Sequence, residues 1–351
     1  MSQDVYLRLR EFLDRLPGGF PATDSGVEIR ILKKLFTLAD AEFVMKLEPR
    51  PATAGEIAKR LGTAEAKATE KLESLAKRGL IFRLREKEKT QYQPFQFIVG
   101  IYEFQLKSMD REFAEMMEEY FPYLGMAFAP LKTKQLRVAP VESAVDAAPK
   151  VAPYNRIRDL VKKQSLIVMA QCICRKEQGL LGHKCDRPSE LCFSFGQFGQ
   201  YVLDNGMGKR VSSDEAMKLL DLAEESALVL SPSNTQELAF ICCCCGCCCG
   251  ALRRLKLLDN PADYFQSYYR AVIDPEACTA CGTCMERCQI DAIEERDDVM
   301  EVNPARCIGC GLCVSTCPAE AIKLEEKPGS EAPPADMNEV LERLAAERGL
   351  K

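Results

Sequence analysis

The sequence predicts an α+β protein of several domains, and three observations carry that expectation. Its 351 residues are enough for two or three hydrophobic cores. All 19 cysteines lie at or beyond residue 172, so the two halves of the chain differ in chemistry. Apolar spacing also switches along the chain between helical and strand periods. The expected division is a helical domain with a β-ribbon and a long helix at 1–129, and a Pro-, Ala- and Val-rich linker at 130–153. A mixed α/β cysteine-rich domain follows at 154–271, then a second cysteine-rich module at 272–326. A flexible tail with a short helix ends the chain at 327–351.

In the N-terminal part, Ile29, Leu32, Leu35 and Phe36 have the spacing of an amphipathic helix. Thr53 and Glu56 form a capping box for a short helix that Gly62 ends. Thr63 is the expected cap of the next helix, which Gly79 stops. Alternation at Leu80, Phe82 and Leu84, a charged turn at 86–90 and the run Tyr92 to Phe97 predict a hairpin. A helix is expected over 98–121, ended by Pro122, with Met and aromatic positions facing a core or a homodimer seam.

The stretch TAGEIAKRLGTAEAKATEKLESLAKRGLIFR resembles the winged-helix family of helix-turn-helix domains. The resemblance implies a recognition helix in the major groove and a hairpin wing on the backbone. Carried over, the candidate DNA contacts are Lys67, Lys71, Arg83, Arg85, Lys87 and Lys89. Between Thr53 and Lys89 ten basic residues face six acidic ones, a surplus of four. Glu65, Glu70 and Glu73 lie on the recognition helix itself, so a protein-docking or dimerisation role stands beside DNA binding.

Further on, 165–170 reads as a strand leading into Cys172, Ser212 and Glu215 as a capping box, and 228–230 as a strand. The chemistry begins with two copies of C-x₂-C-x₂-C-x₃-C, 29 residues apart: DPEACTACGTCMERCQIDAI and NPARCIGCGLCVSTCPAEAI. A cubane offers four irons, each taking one thiolate, and a tight C-x₂-C-x₂-C loop can deliver three. Gly282, Gly309 and Gly311 let the backbone come close. Zinc sites use separated C-x₂-C pairs instead.

This double motif looks like that of bacterial two-cluster ferredoxins over about 272–324. The resemblance implies two [4Fe–4S] clusters: cluster I on Cys278, Cys281, Cys284 and Cys317, cluster II on Cys307, Cys310, Cys313 and Cys288. Pro318 follows the fourth cysteine of the second copy, but Gln289 holds that place in the first. The altered turn is expected to raise the potential of cluster II relative to cluster I.

Eleven cysteines remain: Cys172, Cys174, Cys185 and Cys192, then Cys242, Cys243, Cys244, Cys245, Cys247, Cys248 and Cys249 around Gly246. Neighbouring cysteines make poor disulfides, and bunched free thiols oxidise readily. One or two further Fe–S clusters, zinc, or redox-active thiols are the open readings. In a general way the arrangement resembles cysteine-rich Fe–S subunits of anaerobes, in which a ferredoxin module is fused to a second cluster-bearing domain. Arg175, Lys176 and Lys184 would favour the thiolate form. His183 stands alone, which excludes a Rieske-type centre within one chain.

The net charge of −5 argues against a chain coated for nucleic acid or anionic lipid. The charged N-terminus does not resemble a secretory signal, and no apolar run approaches about 20 residues. The expected location is therefore the cytoplasm. Three functions remain. The first is electron transfer to a redox partner protein, as a ferredoxin-type carrier or a redox-complex subunit. The second is an Fe–S redox-sensing transcription regulator, and the third an enzyme using an unusual middle-domain cluster. No nucleotide fingerprint, P-loop or nucleophile elbow is present, so catalysis would fall to a metal cluster.

Overall fold

The computed structural model describes residues 2–86, 89–146 and 152–350. In the N-terminal part, helices Val27–Leu35, Leu38–Val44, Ala54–Leu61 and Glu65–Lys77 precede the hairpin Ile81–Glu86 and Lys89–Pro94. Ala52–Thr53 adds a short third strand. The Thr53–Glu56 capping box is formed. Ala64, with no side-chain bond, precedes the Glu65–Lys77 helix in place of the expected Thr63. Thr63 instead donates its N–H to Ala58 O at 3.1 Å, closing the previous helix around left-handed Gly62.

The helix expected over 98–121 is replaced by irregular backbone up to Asp110 and a helix at Arg111–Phe128. Asp110 starts it by accepting the Phe113 N–H at 2.8 Å. Pro122 lies inside that helix and does not end it. A proline frees the carbonyl four residues earlier, here that of Glu118. Arg254 Nη2 donates to that carbonyl at 3.2 Å, so the carbonyl keeps a partner.

The middle of the chain forms a five-stranded antiparallel sheet. Its spatial order is Gly208–Arg210, Ile167–Ala170, Cys192–Phe195, Phe240–Cys244 and Val229–Pro232. Successive side chains on a strand alternate faces. Ile167, Met169, Phe193, Phe195, Ile241 and Cys243 therefore point one way, into a core shared with the Ser213–Glu225 helix. Val168 and Ala170 point the other way, toward the N-terminal part. There the Gly196–Asp204 helix packs on the hairpin: the Phe82 ring lies 5.1 Å from both Phe198 and Tyr201.

Segment 130–153 is expected to be a linker, yet much of it is built into the fold. Arg137–Val138 pairs in parallel with Gln266–Ser267, and Val138, Ala139, Val141 and Ala144 are buried. Arg137 is 1% exposed and donates to Tyr154 O at 2.5 Å. Apolar positions spaced by two or three residues explain the burial. In the tail, Gln236 and Glu237 donate their N–H groups to Pro334 O and Ala335 O, and Asp336 caps the Met337–Glu347 helix.

The last module pairs Tyr269–Ile273 with Ile322–Glu326 and Ile293–Arg296 with Val299–Val302. Among the described residues, no helix is long and apolar enough to cross a membrane.

Candidate metal centre

The strand pairing of Tyr269–Ile273 with Ile322–Glu326 brings the two cysteine repeats against each other. Cys278, Cys281, Cys284 and Cys317 line one small cavity, closed by Ile273, Met300 and Ile322. Cys288 neighbours Cys307 and Cys310, and burial first, then the charges of these thiols, pushes the Cys310 thiol up to about 12. Buried Cys313 lies among the same three and also close to Cys284 of the first set. Each set thus combines three thiols of one repeat with the fourth of the other.

Backbone donors already point at these sulfurs. The N–H groups of Ala271, Ala292 and Met300 reach Sγ of Cys307, Cys288 and Cys278 at 3.3, 3.2 and 3.4 Å. Such donors favour the thiolate and tune a bound cluster. Gly309, at φ +66°, is required: a Cβ there would stand 2.0 Å from Tyr269 O. The donor set, its enclosure and these N–H groups fit a four-iron cubane at each position.

The residues 242–249 do not act as one block. On the Phe240–Cys244 strand, Cys242 and Cys244 face away from Ile241 and Cys243. Cys192 lies directly across from Cys242 in the strand register. Cys172 precedes the Ile173–Leu180 helix, Cys174 sits in its first turn, and Cys249 precedes the Gly250–Leu255 helix. Thiol contacts run from Cys172 to Cys174, on to Cys249, Cys244, Cys242 and Cys192. The charge of Cys192 acts in turn on Cys172, so the chain of six bends back toward its start as an open ring. Cys243 stays outside it, in the apolar core.

A second set lies across Gly246. Cys185, Cys245, Cys247 and Cys248 bring their sulfurs within 4.8 Å of one another, four soft donors at one point. Sγ of Cys247 lies 3.7 Å from Cys185, 3.8 Å from Cys248 and 3.6 Å from Arg187 Nη1. This set borders an open pocket of about 510 Å³ whose rim includes exposed His183 and Lys184 and half-buried Arg287. The Cys245 thiol is lowered, first by a hydrogen bond from Cys248 and then by Arg175, while Cys248 is raised by the same bond. Bunched thiols cannot all ionise without a cation among them.

Arg175 stands between the two sets. It is 6% exposed and donates through Nη2 to Cys243 O at 2.8 Å. Its Nε and Nη1 are buried and have no hydrogen-bond partner among the described residues. Charges of Cys172, Cys244, Cys245 and Cys185 all act on it. A buried guanidinium short of partners is costly unless an anionic group completes its surroundings. An iron–sulfur centre bound by thiolates is such a group. Strand alternation could have set Cys243 apart from Cys242 and Cys244, whereas the orphaned arginine left no signal in the sequence.

The six residues considered for DNA contact are scattered. Arg83 is 2% exposed and binds Glu73 at 2.6 Å and Asp204 at 3.2 Å. Arg85 pairs with Asp204 and Lys71 with Asp40. Lys67 and Lys89 are exposed, and Lys87 lies outside the described residues. The groove between helix and wing is lined by Glu65, Glu73 and Glu86 beside Lys89.

Residues 271–324 match the family model of the 4Fe-4S dicluster domain. The chain therefore carries a ferredoxin-type iron–sulfur module at its C-terminal end. No curated protein and no solved structure matches it.

Proposed function

We propose that this chain is an iron–sulfur electron-transfer protein, a ferredoxin-type carrier or a subunit of a redox complex. The observation that supports it is the interleaving of the two four-cysteine sets, with Cys313 of one close to Cys284 of the other. In this reading Cys278, Cys281, Cys284 and Cys317 hold cluster I, and Cys307, Cys310, Cys313 and Cys288 hold cluster II. When bound, each [4Fe–4S] cluster supplies a one-electron couple, taking one electron from a reduced partner protein and giving it to an oxidised one.

The chain's own residues hold the sulfurs and set their surroundings. Ala271, Ala292 and Met300 donate backbone N–H groups to the ligand sulfurs, which favours added negative charge. Cys281 is exposed, so a partner protein has one edge of the first set to approach. DNA stays outside this proposal, because Arg83 is buried in ion pairs and the neighbouring groove is largely acidic.

The test is a reductive titration of anaerobically purified protein followed by electron paramagnetic resonance. Two one-electron signals that broaden each other are expected, and Cys317→Ser should alter the first while sparing the second. Reduced protein with no such signal would remove the proposal.

A further inference from the structure

We propose that Cys172, Cys174, Cys192, Cys242, Cys244 and Cys249 hold a separate polynuclear iron–sulfur cluster, bound by more thiolates than a four-iron cubane uses. This goes beyond the ferredoxin-type reading and does not depend on it. Three observations carry it together.

The first is continuity. The six thiols come from two strands and from the starts of two helices, yet their contacts run unbroken from Cys172 through Cys174, Cys249, Cys244 and Cys242 to Cys192, whose charge acts back on Cys172. The Cys192–Cys242 register and the strand alternation select Cys192, Cys242 and Cys244, and Cys243 is left on the other face. The second is composition. The ring contains sulfur donors only, which is the chemistry of soft metals.

The third is charge. Arg175 lies against the ring, nine-tenths buried, with Nε and Nη1 unpartnered among the described residues. One neighbouring cation does not hold six thiolates together. A single divalent ion takes four of them and strands two. Several irons bridged by sulfide use all six, offset their charge, and leave a net anion for Arg175. The site is a binding site, and no bond-making step is assigned to it.

The full-length chain, purified without oxygen, is analysed for iron, sulfide and zinc and by Mössbauer spectroscopy. About 8 irons belong to two cubanes, and about 12 if Cys185, Cys245, Cys247 and Cys248 hold another. We expect a count above about 12, with a Mössbauer component distinct from the cubanes. Cys192→Ser combined with Cys242→Ser should delete that component and leave the ferredoxin-type resonance signals unchanged. Cys185→Ser combined with Cys247→Ser should retain it, and Cys243→Ala should lose no iron.

Should the ring variant not fold, mass spectrometry of alkylated wild-type protein decides. The six ring cysteines should resist alkylation until iron is chelated and then react together. Zinc in the ring, six thiols that alkylate while iron is retained, or a folded ring variant with wild-type iron and sulfide would each overturn the proposal. Loss of the ferredoxin-type signals alone bears on the previous proposal and leaves this one standing.

Discussion

The side-chain carbonyl of Gln289 accepts the backbone N–H of Gly246 at 2.9 Å, tying the seven-cysteine run to the residue after Cys288. Gln289 is 6% exposed, and a Cβ on Gly246 would stand 2.3 Å from Gln289 O. The ferredoxin-type module and the cysteine-rich domain therefore meet backbone to backbone, at the point where proline is absent from the first repeat.

Replacing Gln289 with proline removes the acceptor and leaves the buried Gly246 N–H unpaired. That costs about 1–3 kcal/mol. We expect a lower denaturation midpoint under anaerobic conditions. A redox titration should also show the Cys288-containing set moving to lower potential, and an unchanged titration would disprove the electronic part.

Gly246→Ala is expected to be worse tolerated, because the obstructing atom belongs to backbone and cannot swing aside. Iron held by the cysteine-rich domain should fall, with the ferredoxin-type resonance signals intact. Equal loss from both would show that the contact stabilises the whole molecule and does not act locally.

Arg175→Met keeps much of the side-chain volume and removes the charge. If Arg175 balances anionic centres, the variant should fold but retain less iron and sulfide per chain, the deficit confined to the cysteine-rich domain. Retention of the full complement would mean that the guanidinium serves packing alone.

Arg254→Met should uncover the Glu118 carbonyl that Pro122 leaves without a helical partner. A cost of about 1–3 kcal/mol is expected. In a Pro122→Ala background the helix can use that carbonyl itself, so the same change should cost less. Chemical denaturation of the four variants measures the coupling.

Asp40 sets an acid limit. Burial pushes its carboxyl up, but hydrogen bonds from Lys71, Arg78 and Thr37 outweigh burial and hold it far below the ordinary 3.8. A carboxyl lowered in the folded state stabilises fully above its unfolded value and loses that contribution as pH falls below it. Wild type should therefore lose more stability than Asp40→Asn between about pH 4 and about pH 2. Parallel curves from denaturant titrations would show that the ion pairs contribute nothing.

What the sequence made legible was mostly local. The Thr53–Glu56 and Ser212–Glu215 boxes depend on four consecutive residues, and both are formed. The ferredoxin-type repeat is equally local, since its spacing is the chelating loop itself. The partition of Cys242 to Cys249 depends on which strand lies opposite Cys192, which no short window contains. Pro122 read as a helix end because its compensating donor, Arg254, is 132 residues away. Arg83 read as a free cation because Asp204, its partner, comes from another part of the chain.

The sulfur atoms are unequally sheltered, and this sets a chronology for damage in air. Cys281 is exposed, and Cys185 and Cys247 border an open pocket, whereas Cys307 and Cys313 are buried. Oxidation proceeds from accessible thiolates inward. A sample aged in oxygen should thus pass through partly stripped forms in a fixed sequence, the set containing Cys281 failing before the set containing Cys307 and Cys313.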